Sequence, residues 1–224
     1  MTLNKKLWVI TIFSIAMGLL ETAVVVYLRE IYYPNGFSFP LVPIENKIAI
    51  TELLREAATI IMLITLGMIT GKNTVEKFAW FIFSFAIWDI FYYIFLKVLL
   101  NWPATILDWD ILFLIPVPWV GPVLAPCIIS VLMILLAITL LRKSAENRMQ
   151  SLNKTEWMLL ITGSLILIFS FTIDYFLYAN SIDARDKNQL LAELSKFIPQ
   201  SYNWFIFAIG IIPILYATFK VYKR

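Results

Sequence analysis

Six apolar stretches, at residues 7–28, 48–70, 78–100, 123–141, 157–178 and 204–221, alternate with short polar segments along the chain. At about 1.5 Å per residue, each is long enough to cross about 30 Å of hydrocarbon as an α-helix. Tyr27, Trp80, Trp157, Tyr178, Trp204 and Tyr222 stand near the ends of these stretches, where an interfacial aromatic belt would place them. The pattern predicts an all-α, polytopic membrane bundle of six transmembrane helices forming one domain over residues 1–224. Lys5 and Lys6 ahead of the first stretch imitate a signal peptide. The apolar run continues past Glu21 to Leu28 with no A-x-A site, so it reads as a retained first helix.

Two intervening segments depart from simple loops. Residues 101–122 contain the apolar run 111–120, too short to span and broken by Pro116 and Pro118. Proline removes helical hydrogen bonds, so this run predicts a re-entrant or interfacial excursion before the fourth helix. Its non-helical backbone must be buried in protein or line a wet cavity. Residues 186–198 carry Leu190, Leu191, Leu194, Phe197 and Ile198 on one helical face, the pattern of a helix lying flat on the membrane surface. Gly67 and Gly71 have GxxxG spacing at the very end of the second stretch, where a packing role is not expected.

Composition sharpens the class. The chain is 61% hydrophobic and 15% charged, with a mean hydropathy of +0.82, whereas soluble domains carry about 25% charge. The net charge of +3 gives no footprint for nucleic acid. With the N-terminus in the cytoplasm, 11 basic residues fall on that side (Lys5, Lys6, Lys72, Lys77, Arg142, Lys143, Arg148, Lys154, Lys220, Lys223 and Arg224). Only Arg29, Lys47, Arg185, Lys187 and Lys196 fall opposite, with Lys97 near that end, so both termini are expected inside. Cys127 is the sole cysteine, which leaves no intrachain disulfide, and histidine is absent. Without histidine there is no His-ligated haem, no His-based zinc site and no Ser-His-Asp or Cys-His catalysis, and no cofactor is identifiable.

The candidate chemistry is polar side chains inside apolar runs. An ionisable group at the bilayer centre costs about 2.5–3.5 kcal/mol on insertion scales, so it needs a partner or water. Glu21 lies two-thirds along the first helix. Glu52, Arg55 and Glu56 share one face at the matching end of the second through their i, i+3, i+4 spacing, with Thr59 continuing the stripe. Asp89 and Tyr92 fall in the third helix, Asp174 in the fifth, and Asp108 and Asp110 in the excursion. By depth and direction these residues converge in the outer half of the bundle as a net-acidic cluster around Arg55. Pairs such as Glu21 with Arg55 could equally pin helices together. Lys97 reads as an interfacial lysine whose stem snorkels, and Asp108 and Asp110 as solvated or helix-capping groups. A carboxylate-only site suits Mg²⁺ or Ca²⁺, but no EF-hand spacing supports one. The fourth and sixth helices look like plain spans.

The strings ETAVVVYLREIYYP (21–34), TELLREAATI (51–60), WDIFYYIFLK (88–97) and WDILFLIPVPWVGPV (109–123) resemble a family of bacterial polytopic inner-membrane proteins with no assigned activity. The resemblance covers the first 140 residues and implies a multi-pass protein of the bacterial inner (cytoplasmic) membrane, with no functional residues to carry over. Three functions fit the residues. The first is a site binding or passing a proton, small cation or ligand. The second is an intramembrane enzyme acting on a lipid or isoprenoid, with carboxylates as acid and base and Tyr92 or Tyr93 assisting. The third is an accessory or assembly subunit of a larger membrane complex.

Overall fold

The computed structural model describes residues 1–148, 151–183 and 187–224. Among them are seven helices and one short hairpin: α1 (Leu3–Tyr32), α2 (Asn46–Thr70), α3 (Thr74–Leu100), β1 (Trp109–Phe113), β2 (Trp119–Pro122), α4 (Leu124–Ala145), α5 (Lys154–Ser181), α6 (Lys187–Ser195) and α7 (Trp204–Lys223). All but α6 are long and apolar enough to cross a membrane. Their outward faces agree, since Trp8, Leu20, Leu54, Ile69 and Phe205 lie exposed. Apolar cover of that extent does not survive in water, so this is the surface of a multi-pass membrane protein.

Helix starts follow local capping. Asn73 accepts from the Glu76 amide ahead of α3, and Asn203 caps α7 in the same way. Asn153 and Glu156 form a full capping box at α5. α3 is the hub, flanked by α1, α2 and α4, while α5 pairs with α7 and α7 with α4. Around Trp80, Leu140, Val221 and their neighbours this forms one continuous apolar core.

One end of the bundle gathers both termini. Lys6 donates to the Thr70 carbonyl and Asn73 to Ser144, which in turn donates to Glu76. Phe78 packs on Trp157, and Arg224 pairs with the buried Glu156. We call this the terminal face. The hairpin belongs to the opposite end, the hairpin face.

Gly67 and Gly71 correct the sequence expectation for the GxxxG pair. At the terminal face α2 meets the first turns of α3 so closely that a Cβ on Gly67 would stand 2.6 Å from the Lys77 carbonyl oxygen, and one on Gly71 would overlap the Lys77 amide. The opposing atoms are backbone and cannot rotate aside. Gly67→Val is therefore expected to lower stability by about 1–3 kcal/mol through overpacking, measurable as a lower thermal midpoint in detergent.

The excursion takes a form the sequence does not specify. β1 and β2 pair antiparallel, Asp110 opposite Gly121 and Ile111 opposite Val120. The hairpin is wedged among aromatic rings: Phe113 stacks on Phe85 and Trp119 on Phe171. β2 is largely buried and β1 mostly half-buried, while Ile115 and Pro116 at the tip are exposed. Most of the segment expected to lie flat on the membrane forms α6, separate from the six long helices. Its start at Asp186, like Arg185, is outside the described residues, as is the side chain of Leu191. Ile198 is exposed, but Phe197 is 5% exposed and packs on Phe39, Tyr175 and Tyr178. Aromatic neighbours from other segments take its side chain inward.

Candidate functional site

A pocket of about 160 Å³ opens between α1, α2, α3 and β1, in the half of the bundle nearer the hairpin face. The spacing on α2 sets one wall: Glu52, Glu56 and Thr59 are the buried positions of its first half. α1 contributes Glu21, Val25 and Arg29, α3 contributes Trp88, Asp89, Tyr92 and Tyr93, and β1 contributes Asp110. Seven residues singled out in the sequence therefore meet: Glu21, Glu52, Arg55, Glu56, Asp89, Tyr92 and Asp110.

Their partners diverge. Arg55 bridges two helices, donating to Glu21 on α1 and, at 2.8 and 2.9 Å, to Glu52 on its own helix. Glu56 turns to the hairpin tip and accepts the amides of Leu114 at 2.8 and 3.1 Å and Ile115 at 3.1 Å. Asp89 accepts from Ser130 of α4 at 2.8 Å. Asp110 is 3% exposed and pairs with Arg29 at 3.2 Å. It is neither solvated nor a helix cap, contrary to expectation, because the hairpin folds inward against α1.

Arg29 is a pocket residue that sequence reasoning missed. Placed at the end of an apolar run, it reads as an interfacial loop charge; in the fold α1 continues to Tyr32 and carries it inside. The guanidinium carbon lies 3.8 Å from the Trp102 ring centroid and 4.5 Å from that of Phe37. Arginine tolerates such a site because its plane stacks on rings while its edge reaches a carboxylate. Ser130 was also missed, since a lone serine in a plain span gives no hydropathy signal.

Two expected site residues stand elsewhere. Asp174 on α5 is exposed and outside the pocket, since its helix packs on α7 and β2 rather than α1 or α2. Asp108 organises the turn after α3, accepting from Thr105 Oγ1 and the Ala104 amide, both at 2.7 Å. Burial alone would push its carboxyl up; these donors outweigh it and hold the group below the ordinary aspartate value. The turn's stabilisation is therefore present above the unfolded-state value and lost as pH falls through the depressed one. Lys97 caps the end of α3, donating to the carbonyls of Asn101 and Pro103, in keeping with an interfacial role.

Within the pocket five carboxylates (Glu21, Glu52, Glu56, Asp89 and Asp110) face two guanidiniums (Arg29 and Arg55), a formal sum of −3. Among the described residues no three acidic or cysteine side chains stand close enough to hold a metal ion. Glu21 and Glu52 meet at Arg55, whereas Glu56, Asp89 and Asp110 each take a different partner. No family model, curated protein or solved structure matches this chain.

Proposed function

We propose that this is a bacterial inner-membrane protein, with both termini in the cytoplasm, whose pocket binds or passes a proton, a cation or a small ligand in the outer half of the bundle. The observation that carries this reading is the charge imbalance: five carboxylates against two arginines, enclosed among apolar helices. Ion pairing consumes only part of that negative charge, and an excess held at membrane depth favours a positive occupant. The excess of lysine and arginine on the segments at the terminal face supports the orientation. The proline-bearing hairpin then acts as a re-entrant cover on the outer side.

The reading is tested in proteoliposomes carrying a lumenal pH dye, with proton and methylammonium uptake followed in parallel. Glu52→Gln with Glu56→Gln, which preserves shape and removes two charges, is expected to reduce uptake at least tenfold while the protein still elutes as a folded species. Uptake equal to that of the unmodified protein would remove the reading.

A further inference from the structure

The pocket has one wall that the bundle leaves open. α1 and α2 both lie along α3 but scarcely touch each other. Lys6 ties them at the terminal face, and at the pocket they are joined by the Arg55–Glu21 ion pair, whose side chains remain 24% and 16% exposed. Leu20 and Leu54, beside that pair in sequence, point outward into the apolar surface. An occupant arriving from the bilayer would meet this gap first.

Deeper inside, three pocket-lining polar atoms are buried with no partner among the described residues: Arg29 Nη1, Trp88 Nε1 and Asp110 Oδ2. Their residues are all more than nine-tenths buried, and all line the pocket. Tyr93 offers Asp110 a weak hydroxyl contact, but among the described residues Oδ2 has no hydrogen bond of ordinary geometry. Buried polar atoms are almost always partnered, so these define what an occupant must supply. Asp110 asks for an N–H or O–H donor; Arg29 and Trp88 ask for oxygen acceptors. The formal excess of carboxylates over guanidiniums favours a cationic donor, and the rings of Trp88, Tyr92 and Phe113 suit an organic one. An inorganic divalent ion, which needs about six oxygens converging, finds no such set among the described residues.

Size narrows the class further. A pocket of about 160 Å³ is smaller than the roughly 300–1,000 Å³ of sites that enclose drug-sized ligands, so it suits a headgroup rather than a whole lipid. The gap between α1 and α2 would leave any chains in the bilayer.

Granting that the pocket is a ligand site, as proposed above, we infer that its ligand is a primary ammonium group carrying an oxygen acceptor a few bonds away, admitted between α1 and α2. An aminophospholipid headgroup and a free amino alcohol share this chemistry. The ammonium lies toward Asp110 and the acidic wall, and the acceptor toward Arg29 and Trp88.

The experiment titrates the purified full-length protein in detergent with phosphatidylethanolamine, phosphatidylglycerol and free ethanolamine, reading thermal midpoint and bound ligand by native mass spectrometry. Saturable binding of phosphatidylethanolamine with no shift from phosphatidylglycerol supports the assignment and names a lipid source. Saturable binding of ethanolamine alone supports it with a soluble source. Trp88→Phe keeps a ring and removes the N–H, and is expected to weaken binding about tenfold. Asp110→Asn, which keeps the shape and removes the charge, should weaken it more. Equal response to phosphatidylglycerol, or no response to either amine, overturns the inference. Proton and methylammonium uptake by the same protein reconstituted in proteoliposomes then separates the two failures: intact uptake removes only the ammonium assignment, and absent uptake removes the ligand-site reading as well.

Discussion

Arg29→Met is expected to destabilise the folded protein by about 3–5 kcal/mol, the cost of stripping one partner from a buried ion pair. Arg29 and Asp110 have side chains only 8% and 4% exposed, so solvent cannot replace the lost guanidinium. Methionine keeps much of the stem volume, which separates charge loss from cavity formation. The stacking of the guanidinium on Trp102 and Phe37 disappears as well. Adding Asp110→Leu to Arg29→Met should recover much of the loss, because no charge then stays buried alone. Unfolding in mixed micelles measures both variants and their coupling. If Arg29→Met melts within about 1 kcal/mol of the unmodified protein, the pair is not what fastens β1 to α1.

Glu56→Ala should act more locally and nearly as strongly. Its carboxylate is the acceptor for two successive amides at the hairpin tip, Leu114 and Ile115, and the residue is 7% exposed. Hydrogen bonds to a charged group are worth about 1.5–3 kcal/mol each, so the tip loses about 3 kcal/mol of local stability. Amide exchange at Leu114 and Ile115 should then quicken about a hundredfold, while exchange in α3 and α4 stays as before. Glu56→Gln retains an acceptor oxygen and should fall between the two. Unchanged exchange at the tip in Glu56→Ala would show that the aromatic wedge alone seats the hairpin.

The contrast between these two sites explains how much of the molecule is legible in its sequence. The six long helices follow from apolar runs longer than anything a soluble core requires, and only their ends move by a few residues. Glu21, Arg55, Glu52 and Glu56 are found together because helical spacing and depth alone bring them to one place. Arg29 escapes for the opposite reason. Whether a charge at the end of an apolar run faces water or folds inward depends on the hairpin, eighty residues away in sequence. The strands of that hairpin, five and four residues long, are too short to announce themselves through period-two alternation, and Pro116 and Pro118 lie in the turn between them. Asp174 shows the reverse error: correct depth, but on a helix whose neighbours are α7 and β2 rather than α1 and α2. Depth is readable in a sequence of this kind; azimuth around the bundle is not.

α2 carries a consequence of its own. Of the six long helices it is the least enclosed, with 17% of its apolar window buried. Its inward face changes character along its length: Leu63 and Gly67 toward the terminal face, then Thr59, Glu56 and Glu52 toward the hairpin face. One end is fastened by close backbone contact, and the other by Arg55 reaching Glu21 on α1 and by Glu56 accepting two hairpin amides. The helix therefore resembles a door with a mechanical hinge and an electrostatic latch. Heat and detergent should work on the hinge, whereas ionic strength and acidity should work on the latch, so the two ends of one helix answer to different variables.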